Sequence, residues 1–117
     1  MRSKFSEKVI ATIMNSDTKK LRKLTVQELA KQFGYNRCYF SIKFKKETQM
    51  LVSKCIQNER LERASTIIKI EKNTPISEIS KNLGFNKNAY FRNIFKKKYG
   101  ITPGLLKKVR KYNKIGS

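Results

Sequence analysis

Histidine and tryptophan do not occur in this chain of 117 residues. Without histidine there is no imidazole for a catalytic triad, and a zinc site of the usual kind is excluded. Cysteine is scarce, and Cys38 and Cys55 lack the CxxC spacing of a metal or redox motif. Nothing in the sequence suggests secretion, so a structural disulfide is not expected. Glycine occurs five times and proline twice. No GxGxxG or GxxxxGK[ST] phosphate loop is formed. Acidic residues are few: eight against 28 lysines and arginines, and none follows Glu78. No apolar run approaches membrane-spanning length, and the N-terminal MRSKFSEKVIATIM lacks the apolar core of a signal peptide. These absences leave no metal, no cofactor and no enzymatic inventory, and they point to the cytoplasm. The formal charge of +20 calls for a polyanionic partner, nucleic acid ahead of an anionic membrane surface.

The most informative stretch is Gly84–Pro103, GFNKNAYFRNIFKKKYGITP. A short amphipathic segment, Ile76–Leu83, runs into Gly84, and a second helix follows the turn. Phe91, Ile94, Phe95 and Tyr99 share one face of that helix; Ala89, Arg92, Asn93 and Lys96 share another. Short helix, glycine-containing turn and second helix with a polar outer face is the helix-turn-helix pattern. It occurs twice. Shifted back by 50 positions, Ile76, Glu78, Ile79, Lys81, Leu83 and Gly84 fall on Val26, Glu28, Leu29, Lys31, Phe33 and Gly34. One residue is lost in the turn, and the offset becomes 51. Tyr90-Phe91 then falls on Tyr39-Phe40, and Phe95-Lys96-Lys97 on Phe44-Lys45-Lys46. The outer stripe repeats as Cys38, Ser41, Ile42 and Lys45. A repeat of this period means two copies of one supersecondary unit.

Taken in order, the chain divides into about seven helices. Residues 3–15 form an amphipathic helix with Phe5, Val9 and Ile13 inward and Ile10 and Met14 beside them. Asn15-Ser16-Asp17-Thr18 is turn chemistry, and Lys19–Leu24 reads as a basic connector. Thr25 and Glu28 make a capping box for a helix over Val26–Phe33, which Gly34 closes in the left-handed region. Asn36 caps the next helix, Arg37–Thr48. Gln49-Met50 then stands where the second copy has Gly100.

Val52–Ile70 reads as one long helix, with Val52, Ile56, Ala64, Ile67 and Ile68 recurring at helical spacing and Leu61 and Cys55 alongside. Its length is about 28 Å at 1.5 Å per residue. Successive major-groove faces of a duplex lie about 34 Å apart. Pro75 opens the second unit, and Thr102-Pro103 opens a last helix, Gly104–Tyr112. Leu105, Leu106 and Val109 are expected to face inward there, with Ile115–Ser117 frayed. The expected organisation is all-α: two helix-turn-helix subdomains, residues 5–50 and 72–113, joined by a linker helix over 51–71.

With these residues in view, the chain resembles the DNA-binding domain of the AraC/XylS family of bacterial transcription regulators. The resemblance rests on GYNRCYFSIKFKKET at Gly34–Thr48, RLERASTII at Arg60–Ile68 and ISEISKNLGFNKNAYFRNIFKKKYGITP at Ile76–Pro103. It implies sequence-specific binding of double-stranded DNA with two reading helices in adjacent major grooves, and an activator that contacts RNA polymerase. It also implies a separate sensing or dimerisation domain ahead of this one; a piece of a longer regulator and a single-domain member both fit. The location implied is the nucleoid. The resemblance carries base-reading positions onto Cys38, Ser41 and Ile42, with Arg37 and Lys45 adjacent. In the second unit it carries them onto Ala89, Tyr90 and Asn93, with Lys87, Asn88 and Arg92 adjacent and Lys96 extending the stripe. Ile42 and Asn93 stand where relatives often have arginine, which implies less guanine reading and a preference for A·T-rich sites. Arg60 falls on the family's linker arginine; a surface residue making local ion pairs is the plainer reading.

Several features have a plainer reading. Phe40, Phe44, Phe91, Phe95 and Tyr99 would make base-stacking platforms, but their place opposite the outer stripe favours core. Cys38 near Arg37 would suit a redox sensor, but a small side chain accommodated at a groove is the simpler account, and Cys55 reads as core. The Lys96-Lys97-Lys98 run favours phosphate contact over a merely solvated face, without carrying sequence information. Two whole-chain alternatives stand beside the resemblance: a sequence-neutral architectural DNA binder, and a basic membrane-surface protein. The repeat argues against the second, because a membrane-surface helix needs no repeated turn.

Overall fold

The computed structural model describes residues 4–71 and 73–116, with side chains described as far as Val109. The described residues form eight helices and no strand. They are α1 (Lys4–Asn15), α2 (Thr18–Lys23), α3 (Val26–Gln32), α4 (Arg37–Thr48), α5 (Val52–Ile70), α6 (Ile76–Asn82), α7 (Asn88–Tyr99) and α8 (Pro103–Gly116). The chain falls into two compact units, Met1–Arg60 and Leu61–Ser117.

The expected connector over Lys19–Leu24 is the helix α2. Asp17 is its N-cap, with the carboxylate accepting from the Lys20 amide at 2.7 Å. Leu21 and Leu24, three residues apart, are both buried, so even this lysine-rich run has an inner edge. Its C-terminal end meets Arg60. The Arg60 guanidinium donates to the carbonyl oxygens of Leu21 (2.9 and 3.1 Å), Leu24 (3.1 Å) and Arg22 (3.3 Å). A helix leaves its last carbonyls unpaired, and a planar cationic fork can satisfy several at once. Burial lowers the Arg60 pKa from its ordinary value. Arg60 is thus a cap inside the first unit as well as a linker residue.

The first core gathers Val9 and Ile13 of α1, Leu21, Leu24, Leu29 and Ala30, Phe40 and Phe44 of α4, and Val52 and Ile56 of α5. Phe5 closes one side, meeting Phe33, Tyr35 and Phe40 edge-on at centroid distances of 5.5–6.0 Å. Ile10 is half-buried against this core, but Met14 is exposed. Cys55 also packs against it, its sulfur 3.3 Å from that of Met50. The second core gathers Leu61, Ala64 and Ile68 of α5, Ile79, Leu83, Phe85, and Phe91 and Phe95 of α7. Ile67, Ile94, Tyr99 and Leu106 are partly buried against it.

The last helix differs from expectation. It runs on past the expected end at Tyr112 to Gly116, taking in Ile115 and Gly116, where fraying was expected; Ser117, and Ser3 where the first helix was expected to start, lie outside the described residues. Of its three leucine and valine positions only Leu106 packs on the core; Leu105 and Val109 are exposed. A single stripe of about 100° meets the core of a small unit, and Leu105 lies one helical step outside it.

Candidate nucleic-acid interface

Each unit sets its reading helix by the same local device. After α3, the Gly34 amide donates to Lys31 O at 3.1 Å and the Tyr35 amide to Ala30 O at 2.9 Å. After α6, Gly84 and Phe85 donate to Lys81 O and Ser80 O at the same two distances. This is the Schellman closure, and it requires positive φ at the glycines, which have φ 78° and 91°. A Cβ on Gly34 would meet nothing within 4 Å, so that glycine is there for its backbone and not for space.

The turns then diverge by the one extra residue of the second copy. In the first unit Asn36 caps α4, its Oδ1 accepting from the Tyr39 amide at 2.8 Å. In the second, the cap position of α7 is Lys87, which makes no side-chain cap bond. Instead Asn88, the first helical residue, has its Oδ1 2.9 Å from the hydroxyl of the buried Ser80.

Buried phenylalanines four apart, Phe40 with Phe44 and Phe91 with Phe95, hold one face of each helix to its core. The other face follows from that. On α4, Arg37, Cys38, Ile42 and Lys45 are exposed and Ser41 is half-buried. Ile42 is 63% exposed, so the outer face of α4 offers an apolar side chain beside its cations. In the second unit Lys87 and, on α7, Asn88, Ala89, Tyr90, Arg92, Asn93 and Lys96 are all exposed. Every candidate residue thus lies on the outer face or at the start of its reading helix. Tyr39, the counterpart of Tyr90, was not among the candidates; it is 52% exposed against 51% for Tyr90 and stacks beside Tyr35 at 5.3 Å. The offset that pairs Tyr90 with Tyr39 was the signal for it.

The outer faces are positive. α7 contains no acid, and on α4 Glu47 is held by Lys43 at 3.0 Å. The lysine run at 96–98 is exposed throughout, and within it Lys98 turns to Glu62 at 3.7 Å and to the ring of Tyr99. Among the described residues, no three or more Cys, Asp or Glu side chains gather as metal ligands would. No described helix is long and apolar enough to cross a membrane.

A family model described as a helix-turn-helix domain matches residues 18–108. The chain is 30% identical over 92 residues to an uncharacterized HTH-type transcriptional regulator, YfiF, of Bacillus subtilis, covering 79% of this chain and 29% of that protein. It is similar in structure to the C-terminal domain of the two-component response regulator yesN from Fusobacterium nucleatum, with TM-score 0.74, 28% identity, and 90% of this chain and 99% of that one covered. It is also similar to the xylose-binding transcription activator xylR, with TM-score 0.73, 26% identity, and 93% and 28% covered. The chain spans 29% of YfiF and 19% of a second curated relative, the YesN regulatory protein of Bacillus subtilis. With two helix-turn-helix units, outward basic faces and these relatives, the chain belongs to the AraC/XylS family of helix-turn-helix DNA-binding transcription regulators.

Proposed function

We propose that the chain binds a specific double-stranded DNA site with α4 and α7 in successive major grooves, and that it activates transcription as the DNA-binding part of a larger regulator. One observation carries this reading: both copies of the unit bury a phenylalanine pair and turn the opposite face of the second helix outward. The 19 residues of α5, about 28 Å of helix, suit the spacing of successive grooves. The base-edge contacts assigned are Cys38, Ser41 and Ile42 on α4 and Ala89, Tyr90 and Asn93 on α7. Arg37, Lys45, Lys87, Asn88, Arg92 and Lys96 take the flanking contacts, chiefly to phosphate.

Asn93 has the geometry to pair with adenine, and Ile42 and Ala89 offer only apolar surface to thymine methyls. A site rich in A·T pairs follows. Activation is supported by the likeness to a solved xylose-binding activator, and contact with RNA polymerase is part of the same proposal. The test is footprinting on genomic fragments at moderate salt. A discrete protected site with two half-sites about one helical turn apart is expected. Even protection of every fragment would instead establish a sequence-neutral architectural protein.

A further inference from the structure

Ser80 carries one hydroxyl proton and faces two acceptors, Ser77 O at 3.0 Å and Asn88 Oδ1 at 2.9 Å. The Ser77 carbonyl lies inside α6, where the helix supplies it with an amide donor four residues on. Asn88 Oδ1 has no such helical partner, so the proton is better placed on the asparagine. The oxygen and nitrogen of an amide sit on opposite sides of its carbon. Holding Oδ1 against Ser80 therefore turns Nδ2, with its two protons, away from the Ser80 hydroxyl. Asn88 is exposed and lines an open cleft whose walls carry Arg92 and Lys108 as well as Ile76 and Ser77 of α6.

The first unit shows what the serine adds. At the position of Ser80 it has Ala30, equally buried, and at that of Asn88 it has Arg37, which presents donors whichever way it turns. An asparagine can present either a donor or an acceptor. Only a fixed partner decides which.

We propose that Ser80 is a positioning residue for DNA recognition: it locks the Asn88 amide so that its nitrogen meets a hydrogen-bond acceptor of the duplex. This rests on the DNA-binding reading above. The acceptor is a phosphate oxygen or a base edge. A base contact would show as a changed preference at one position, and a phosphate contact as an equal loss on all sequences.

The test measures affinity of the whole chain for its footprinted site and for single-base variants of that site. Ser80→Ala should weaken binding about threefold to tenfold, the worth of one neutral hydrogen bond. It should fold, since Ala30 fills the same place in the first unit. The decisive readout is coupling: in an Asn88→Ala background, Ser80→Ala should change affinity no further. If the alanine variant melts, Ser80→Cys, similar in size and a weak donor, is measured in its place with the same expectation. A discrete wild-type site combined with an unchanged Ser80→Ala affinity, or with an equal loss when Asn88 is already alanine, overturns the assignment of Ser80 alone. Failure of the wild-type protein to protect any discrete site would overturn the DNA reading and this inference with it.

Discussion

At the scale of single residues, two side chains act on the stability of the first unit in opposite directions that charge and composition conceal. Arg60 donates to three carbonyls that end α2, 36 to 39 positions earlier in the chain. Hydrogen bonds from a charged donor contribute more than neutral ones, so Arg60→Ala should cost the first unit about 2 kcal/mol. Arg60→Lys should recover only part of this, because a single ammonium lacks the planar fork. Thermal melts of both variants check the order, and a fully wild-type melt for the lysine variant would contradict it. Gln49 is the one described non-glycine residue with positive φ, at 63°, in the place that Gly100 holds in the other unit at 74°. The missing glycine leaves the closure intact: the Gln49 amide donates to Lys45 O at 2.7 Å, as Gly100 does to Lys96 O. Its side chain adds a bond to Lys46 O at 3.2 Å. Left-handed backbone costs an ordinary residue about 1–2 kcal/mol, which exceeds one exposed hydrogen bond. Gln49→Gly should therefore raise the stability of the first unit by somewhat under about 1 kcal/mol, read as a higher melting temperature.

At the scale of elements, the division of each reading helix into two faces can be tested directly. Phe95 is fully buried, and Asn93, two residues earlier, is exposed. Phe95→Ala should cost about 3–5 kcal/mol and melt the second unit. Asn93→Ala should leave the melt unchanged and relax base preference at one or two positions in one half of the site. A stable Phe95→Ala protein with lost binding would mean the faces are reversed. The faces were readable in the sequence because Phe40 and Phe44, like Phe91 and Phe95, lie four apart and recur at one offset. α2 was not readable: a six-residue helix has less than two turns to show a period, and every residue but Leu21 is threonine or basic. Asp17 ahead of it and the Leu21–Leu24 pair were its traces. α8 misled in the opposite way, since its apolar residues outnumber those its core can cover. The Ser80–Asn88 bond had no sequence signature at all, for it joins two helices across a turn whose length differs between the copies.

At the scale of the whole molecule, charge and reading separate into two measurements. With about eight phosphates neutralised, log affinity should fall with log salt at a slope near −7, or about four decades between 50 and 200 mM. A slope shallower than about −3 would undercut two helices engaged at once. The slope alone does not establish specificity, because a chain of charge +20 would show a steep one on any duplex. The ratio of affinities between the footprinted site and unrelated DNA carries that information. Lys45 is exposed on a helix whose apolar Ile42 has no hydrogen bond to offer a base. In the proposed complex it is assigned to a phosphate. Lys45→Ala should therefore weaken binding to every duplex about equally, reduce the magnitude of the slope by about one and leave the affinity ratio untouched. Site selection and salt titration on the same variant give both numbers. A changed ratio with an unchanged slope would move Lys45 from the backbone to a base, and with it the register of α4 in its groove.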